Sequence, residues 1–178
     1  LPRWYKIKPL STFDRLGLSE TTLKLLSEIG FLRPTEIQAK AIPRLLQEQR
    51  DFIGLAQTGT GKTAAFGLPL IDLVDSAERY TQALVLAPTR ELGQQIAEQL
   101  HLFSKYDKQL NVLAVYGGAP IDKQIRALKK PQHIIIATPG RLIDLVNRRA
   151  IDLRKLQFVV LDEADEMPDM GFADALES

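Results

Sequence analysis

Residues 56–63 read Ala56-Gln57-Thr58-Gly59-Thr60-Gly61-Lys62-Thr63. Glycines, a lysine and a hydroxyl at this spacing suit a chain of phosphates. Backbone N–H groups of a glycine-containing loop at a helix N-terminus surround an anion without side chains in the way. Lys62 would reach the β- and γ-phosphates, and the Thr63 hydroxyl would face Mg²⁺. The usual pattern opens on Gly; Ala56 stands there and is small enough for close approach. Alone, Gly-Lys-Thr also reads as a loop glycine, a solvated lysine and a capping threonine. A second element decides between these readings. Phe158-Val159-Val160-Leu161 runs into Asp162-Glu163-Ala164-Asp165. Asp162 would hold Mg²⁺ through water alongside Thr63, and Glu163 would orient and deprotonate an attacking water. The acidic run by itself is a solvated loop. The two elements in this order point to a Mg–nucleotide hydrolysis site with Lys62, Asp162 and Glu163 as its catalytic groups.

The elements that must position these residues follow a strand–loop–helix rhythm. Apolar runs predict strands over 51–57, 82–87, 111–116, 133–137 and 157–161. Ser19 predicts a helix N-cap, with Leu23, Leu26 and Ile29 as the apolar face and Gly30 as the stop. Thr35 and Gln38 fit a capping box, and Pro43 predicts a break or restart in the helix that follows, with residues 43–49 as its continuation. Residues 64–71 predict the helix after the glycine loop. Leu92, Ile96, Leu100 and Phe103 mark another helix, Ile121, Ile125 and Leu128 the next, and Leu142, Leu145 and Val146 the last. Strands that are continuous apolar runs are buried on both faces. The expected fold class is therefore α/β, a mostly parallel sheet covered by helices on both faces. Every candidate motif falls just past the C-terminal end of a strand, where open α/β sheets bind ligands.

The chain has 178 residues, 45% hydrophobic and 25% charged, as in an ordinary soluble domain. The net charge of +1 excludes a broadly basic surface, so nucleic-acid binding would need individually placed groups. With no cysteine there is no disulfide or Cys-based metal site, which fits a cytoplasmic protein. No apolar run approaches the ~20 residues that span a bilayer, so no membrane is expected. His101 and His133 lack metal-ligand spacing and read as structural. Residues 1–10 read as an N-terminal arm and 11–178 as one domain.

These motifs together resemble the N-terminal RecA-like domain of DEAD-box ATP-dependent RNA helicases, over residues 13–172. The stretch Gly30-Phe31-Leu32-Arg33-Pro34-Thr35-Glu36-Ile37-Gln38, with Phe13 ahead of it, resembles the Q motif. The resemblance implies that Gln38 contacts the adenine edge, that Phe13 packs near the base and that Arg33 belongs to the nucleotide site. Residues 56–63 match motif I, Pro88-Thr89-Arg90 opens motif Ia, Gly117-Gly118 matches the GG element, Thr138-Pro139-Gly140-Arg141 matches motif Ib, and residues 162–165 match motif II. It also implies ATP and Mg²⁺ as cofactors and RNA as partner. The RNA would be bound through its backbone by Pro88, Thr89, Arg90, Gly117, Gly118, Thr138, Pro139, Gly140 and Arg141. Hydroxyls and guanidinium groups at loop–helix junctions suit phosphates in any case. The implied protein is a monomer whose second RecA-like domain supplies an arginine finger. The alternatives are a nucleotide- and RNA-binding module inactive on its own, or another P-loop ATPase.

Two features depart from the family. A strand ending in Ser-Ala-Thr normally follows motif II and lies between the motif I and motif II strands, yet the sequence ends at Ser178. The expectation is a fragment in which two strands lack their usual neighbour. Pro168 stands where a helix-compatible apolar residue is usual.

Overall fold

The computed structural model describes residues 12–48, 51–57, 59 and 61–167. The expected arm at 1–10, Thr58, Thr60 and Pro168 lie outside the described residues. The chain forms two compact units, Leu1–Leu73 and Val74–Ser178.

The first unit is helical. A 3-10 turn, Phe13–Arg15, precedes α1 (Glu20–Glu28), α2 (Glu36–Gln47) and α3 (Lys62–Leu73). Ser19 caps α1 as expected, its hydroxyl accepting from the Thr22 N–H at 3.2 Å. Asp72, near the far end of α3, ties this cap down. Its carboxylate accepts from the Ser19 N–H at 2.7 Å, the Ser19 hydroxyl at 2.9 Å and the Thr22 hydroxyl at 2.6 Å. A carboxylate at a helix N-terminus is also favoured by the helix dipole. α2 packs on α3, and Leu25, Ile42 and Leu68 are buried in this unit.

Two expectations fail here. The helix continues past Pro43 as expected, to Gln47, but Pro43 does not break α2. Proline removes one ladder bond, and the burial of Ala41 and Ile42 holds the helix through that gap. The strand expected over 51–57 is not formed. A strand exists only through its ladder, and no described residue pairs with this run. Its side chains Ile53 and Leu55 stay exposed, at 88% and 93%.

The second unit is built on a four-stranded parallel sheet: β1 (Ala83–Leu86), β2 (Val112–Val115), β3 (Ile134–Ala137) and β4 (Phe158–Leu161), in the order β2-β3-β1-β4. All four strands were expected from their apolar runs. Between them run α4 (Arg90–Phe103), α5 (Ile121–Leu128) and α6 (Pro139–Asn147), each where the apolar spacing predicts it. Successive residues of a strand face opposite sides. Leu84, Leu86, Val115, Ile135 and Ala137 therefore share one face, packed with Leu142 and Leu145 of α6 and with Ile121, Ile125 and Leu128 of α5. Ile136 faces the other side, close to Gly93 of α4. Helices thus cover both faces. β1 and β3 are fully buried, but β4 lies at an edge with Val159 and Leu161 exposed.

Buried polar side chains seal the N-terminal end of the sheet. The Gln82 amide bonds both ways to Asp75, accepting from its N–H at 2.9 Å and donating to its carbonyl at 2.7 Å. The Thr81 hydroxyl donates to the Gln132 carbonyl at 2.7 Å. His133 Nδ1 accepts from the Asn111 N–H at 2.9 Å, so the proton sits on Nε2, 2.8 Å from the Glu78 carbonyl. Both ring nitrogens are spent on backbone, which gives His133 its structural role. No helix among the described residues is long and apolar enough to cross a membrane. His133→Phe strands two part-buried backbone groups, the Asn111 N–H and the Glu78 carbonyl, at a cost of about 1 kcal/mol. The urea midpoint should fall accordingly; an unchanged midpoint would mean the imidazole bonds add nothing.

Candidate functional site

In the first unit the glycine loop and the Gln38 stretch meet. Thr35 and Gln38 form the expected capping box: the Thr35 hydroxyl accepts from the Gln38 N–H at 3.4 Å, and Gln38 Oε1 accepts from the Thr35 N–H at 3.0 Å. The other end of the same amide donates to the Gly61 carbonyl, Nε2 to O at 3.2 Å. Gln38 is only 3% exposed. It therefore caps its own helix and holds the glycine loop at once.

Gly61 has no substitute at this place. Its φ of +84° is left-handed, and a Cβ there would overlap the Gln38 amide and press on the Thr35 hydroxyl. Gly59 is also left-handed, at φ +82°, with open space around its Cα. The loop thus stays bare of side chains at both described glycines and leads into Lys62, the first residue of α3. Lys62 and Thr63 are half-buried, Ala56 is half-buried and Gln57 exposed. A backbone cradle at a helix N-terminus with a lysine beside it fits a polyphosphate. Phe13 is buried and lines a hollow of about 220 Å³ with Leu23, Leu26, Phe31 and Leu32, while Arg33 lies on the surface.

In the second unit the parallel register gathers the remaining motifs. Val115 pairs with Ala137, Ala137 with Leu86, and Leu86 with Leu161. All four strands therefore end on one transverse row. With strands ~4.8 Å apart, that row is about 14 Å long. The loop after β2 carries Gly117-Gly118, that after β3 Thr138–Arg141, that after β1 Pro88–Arg90, and that after β4 Asp162-Glu163.

Side chains knit the first three of these loops together. Arg90 lies over the Tyr116 ring, 4.8 Å from its centroid, and its Nη1 donates to the Gly118 carbonyl at 3.3 Å. The Gln94 amide donates to the Tyr116 hydroxyl at 3.1 Å. The Gly117 N–H donates to the Thr138 hydroxyl at 3.3 Å. Arg141 donates to the Ala119 carbonyl from both Nη1 and Nη2, each at 3.1 Å, and from Nη1 to Gln124 Oε1 at 2.8 Å. Among the described residues neither arginine bonds a carboxylate, and the partners given for both are neutral. The Thr89 hydroxyl is occupied as the N-cap of α4, accepting from the Leu92 N–H at 3.2 Å. Pro139 is buried and Gly140 exposed.

Asp162 is 7% exposed, its N–H bonded to the Leu86 carbonyl at 3.0 Å. Glu163 is left-handed at φ +52°, a conformation that costs energy without a Gly and recurs at functional sites. No group of three or more His, Asp or Glu side chains able to hold a metal occurs among the described residues.

Sequence reasoning missed Tyr116, Gln124 and Asp72. Gln124 carried a signal: it is a polar residue three positions after Ile121 and four before Leu128, on the apolar side of α5. The close approach at Gly61 yields a test. Gly61→Ala should cost at least about 1–2 kcal/mol from the left-handed φ alone. Adding Gln38→Ala should return the part due to the overlap, read as a non-additive urea-unfolding cycle; strict additivity would contradict the geometry.

Comparison with known proteins gives the same reading. A family model described as DEAD/DEAH box helicase matches residues 35–178. The DEAD-box ATP-dependent RNA helicase CshA of Bacillus cereus is 52% identical over 169 residues, 95% of this chain and 32% of that protein. The chain thus spans about a third of the length of the curated relatives it matches. Among solved structures, a DEAD box protein from Methanococcus jannaschii superposes with a TM-score of 0.84 at 42% identity, over 93% of this chain and 45% of that one. A variant of S. cerevisiae Dbp5 bound to RNA and ADP BeF3 does so with a TM-score of 0.80 at 36% identity, over 93% and 41%. The fold is accordingly the RecA-like α/β fold of these proteins. On the match over residues 35–178 and the 52% identity to a relative over 95% of this chain, the chain belongs to the DEAD/DEAH box helicase family.

Proposed function

We propose that this chain is the ATP-binding, RNA-contacting part of an ATP-dependent RNA helicase. The observation that carries this reading is the single edge of the sheet. It presents three cross-braced loops with two arginines held by neutral partners among the described residues and, beyond them, the buried Asp162 and left-handed Glu163. A row of this kind suits a phosphate backbone at one end and hydrolytic chemistry at the other. The named relatives support it, since CshA is an ATP-dependent RNA helicase and Dbp5 was solved with RNA and ADP BeF3.

ATP with Mg²⁺, when bound, supplies the phosphoryl group whose transfer to water drives the cycle. On the motif, Ala56, Gln57, Thr58, Gly59, Thr60 and Gly61 would hold the phosphates, with Lys62 as the cation. On the order of the motifs, Thr63 and Asp162 would be the oxygen donors for the metal. Glu163 takes a proton from the attacking water, and its carboxylate has no partner among the described residues that would compete for that role. Gln38, Phe13 and Arg33 read the base; the Gln38 amide retains one N–H and acceptor capacity on Oε1 beyond its two structural bonds. Pro88, Thr89, Arg90, Gly117, Gly118, Thr138, Pro139, Gly140 and Arg141 hold the RNA backbone, without reading sequence.

The whole protein is a cytoplasmic monomer in this reading. Its second RecA-like domain brings an arginine to the transferring phosphoryl group, worth ~10³-fold or more in rate. This chain alone then binds ATP but turns it over slowly. Lys62→Ala should remove ATP binding by calorimetry. Glu163→Gln should spare binding and block hydrolysis in a protein carrying both domains. Unchanged ATP affinity in Lys62→Ala would refute the proposed cradle.

A further inference from the structure

Gln124 belongs to neither the nucleotide nor the RNA residues proposed above, yet it is the buried joint of the RNA-facing edge. It lies on α5 with 7% of its surface exposed. Its Nε2 donates to the Tyr116 carbonyl at 3.1 Å, at the end of β2, and its Oε1 accepts from Arg141 Nη1 at 2.8 Å, in α6. The amide has only one workable orientation. Flipped, it would set oxygen against the Tyr116 carbonyl and N–H against the guanidinium. The Arg141 fork in turn closes on the Ala119 carbonyl through Nη1 and Nη2. One glutamine thereby fixes both the turn that carries Gly117-Gly118 and the arginine beside it.

Arg141 is not exhausted by this role. A guanidinium has five N–H donors, and three bonds are made here. Two donors and the whole charge remain for an anion. Among the described residues every partner that holds Arg141 is uncharged, so it is oriented without being neutralised.

We propose that Gln124 is a positioning residue for RNA binding. It presents the Arg141 guanidinium, together with the Gly117–Ala119 turn, to a phosphate of single-stranded RNA. This rests on the RNA-binding reading above. Leucine at 124 keeps the volume but removes both bonds and frees Arg141 to swing. Glutamate keeps the shape but sets a carboxylate against Arg141, neutralising it, and an oxygen against the Tyr116 carbonyl.

The test uses a protein carrying this chain with its second RecA-like domain, and a single-stranded oligouridylate as probe. Gln124→Leu should raise the RNA concentration for half-maximal ATPase about tenfold, the scale of one charge-assisted hydrogen bond. kcat at saturating RNA and ATP affinity without RNA should stay as they were. The slope of log affinity against log salt should shrink by ~0.7, one phosphate contact on a single strand. Gln124→Glu, the variant for the case in which leucine does not fold, should weaken binding with the same loss of slope. In an Arg141→Ala background neither change should reduce the salt slope further. RNA affinity and salt slope unchanged by Gln124→Leu or Gln124→Glu, or slope losses that add to that of Arg141→Ala, overturn this inference alone. Failure of the unmutated protein to bind the oligouridylate overturns the RNA reading and this inference with it.

Discussion

Parallel strands that share one register must end together, and here they end on the row Val115, Ala137, Leu86 and Leu161. The functional arrangement of the second unit depends on that row. Four loops whose strand ends lie 22 to 75 residues apart along the chain emerge side by side from it. The register is held by continuous apolar burial in β1 and β3, where a slip of one residue would exchange the two packed faces. At the opposite end of the sheet, His133, Gln82 and Thr81 fix where the strands begin. The loops can therefore carry polar and charged residues chosen for ligands, because none of them is needed to define the sheet.

Glutamine recurs at the joints. Gln38 joins a helix cap to the Gly61 carbonyl, Gln82 bridges both backbone groups of Asp75, and Gln124 joins β2 to α6 through Arg141. Each is nearly buried, and each spends both a donor and an acceptor. A neutral amide serves here better than a charged side chain. It satisfies two buried groups without the desolvation cost of an ion, and it leaves neighbouring cations uncompensated. No buried side-chain nitrogen or oxygen among the described residues is without a partner.

Much of the fold was legible in the sequence, because local rules and tertiary needs agree there. The four strands of the sheet are β-branched or apolar runs bounded by turns, and the caps at Ser19 and Thr35 bond as their residue types require. The exception over 51–57 is instructive. An apolar run records the wish to be buried, not the presence of a ladder partner, and Ile53 and Leu55 lie exposed without one. Pro43 misled in the other direction, since the burial of α2 outweighs one missing bond. Of the candidate site, the motif loops were legible from composition and spacing. The bracing was not: Arg90 reaches Gly118, 28 residues on, and Arg141 reaches Ala119, 22 residues back, and such partners are set by topology. The hydroxyls of Thr89 and Thr138, read as phosphate donors, accept from the Leu92 and Gly117 N–H groups, which orients them and leaves each O–H to donate.

The central claim is that one chain presents two separate anion sites, a glycine cradle for a nucleotide and a braced loop edge for RNA. Backbone-amide NMR of the 178-residue chain tests it directly, with MgATP and a short oligouridylate added in separate titrations. The account predicts that MgATP moves the amides of Gly59, Gly61 and Lys62 and the side-chain amide of Gln38. It predicts that RNA moves Arg90, Gly117, Gly118 and Arg141 instead. Saturating shifts that leave both sets unmoved, or RNA shifts scattered over the helices away from the sheet edge, would contradict it.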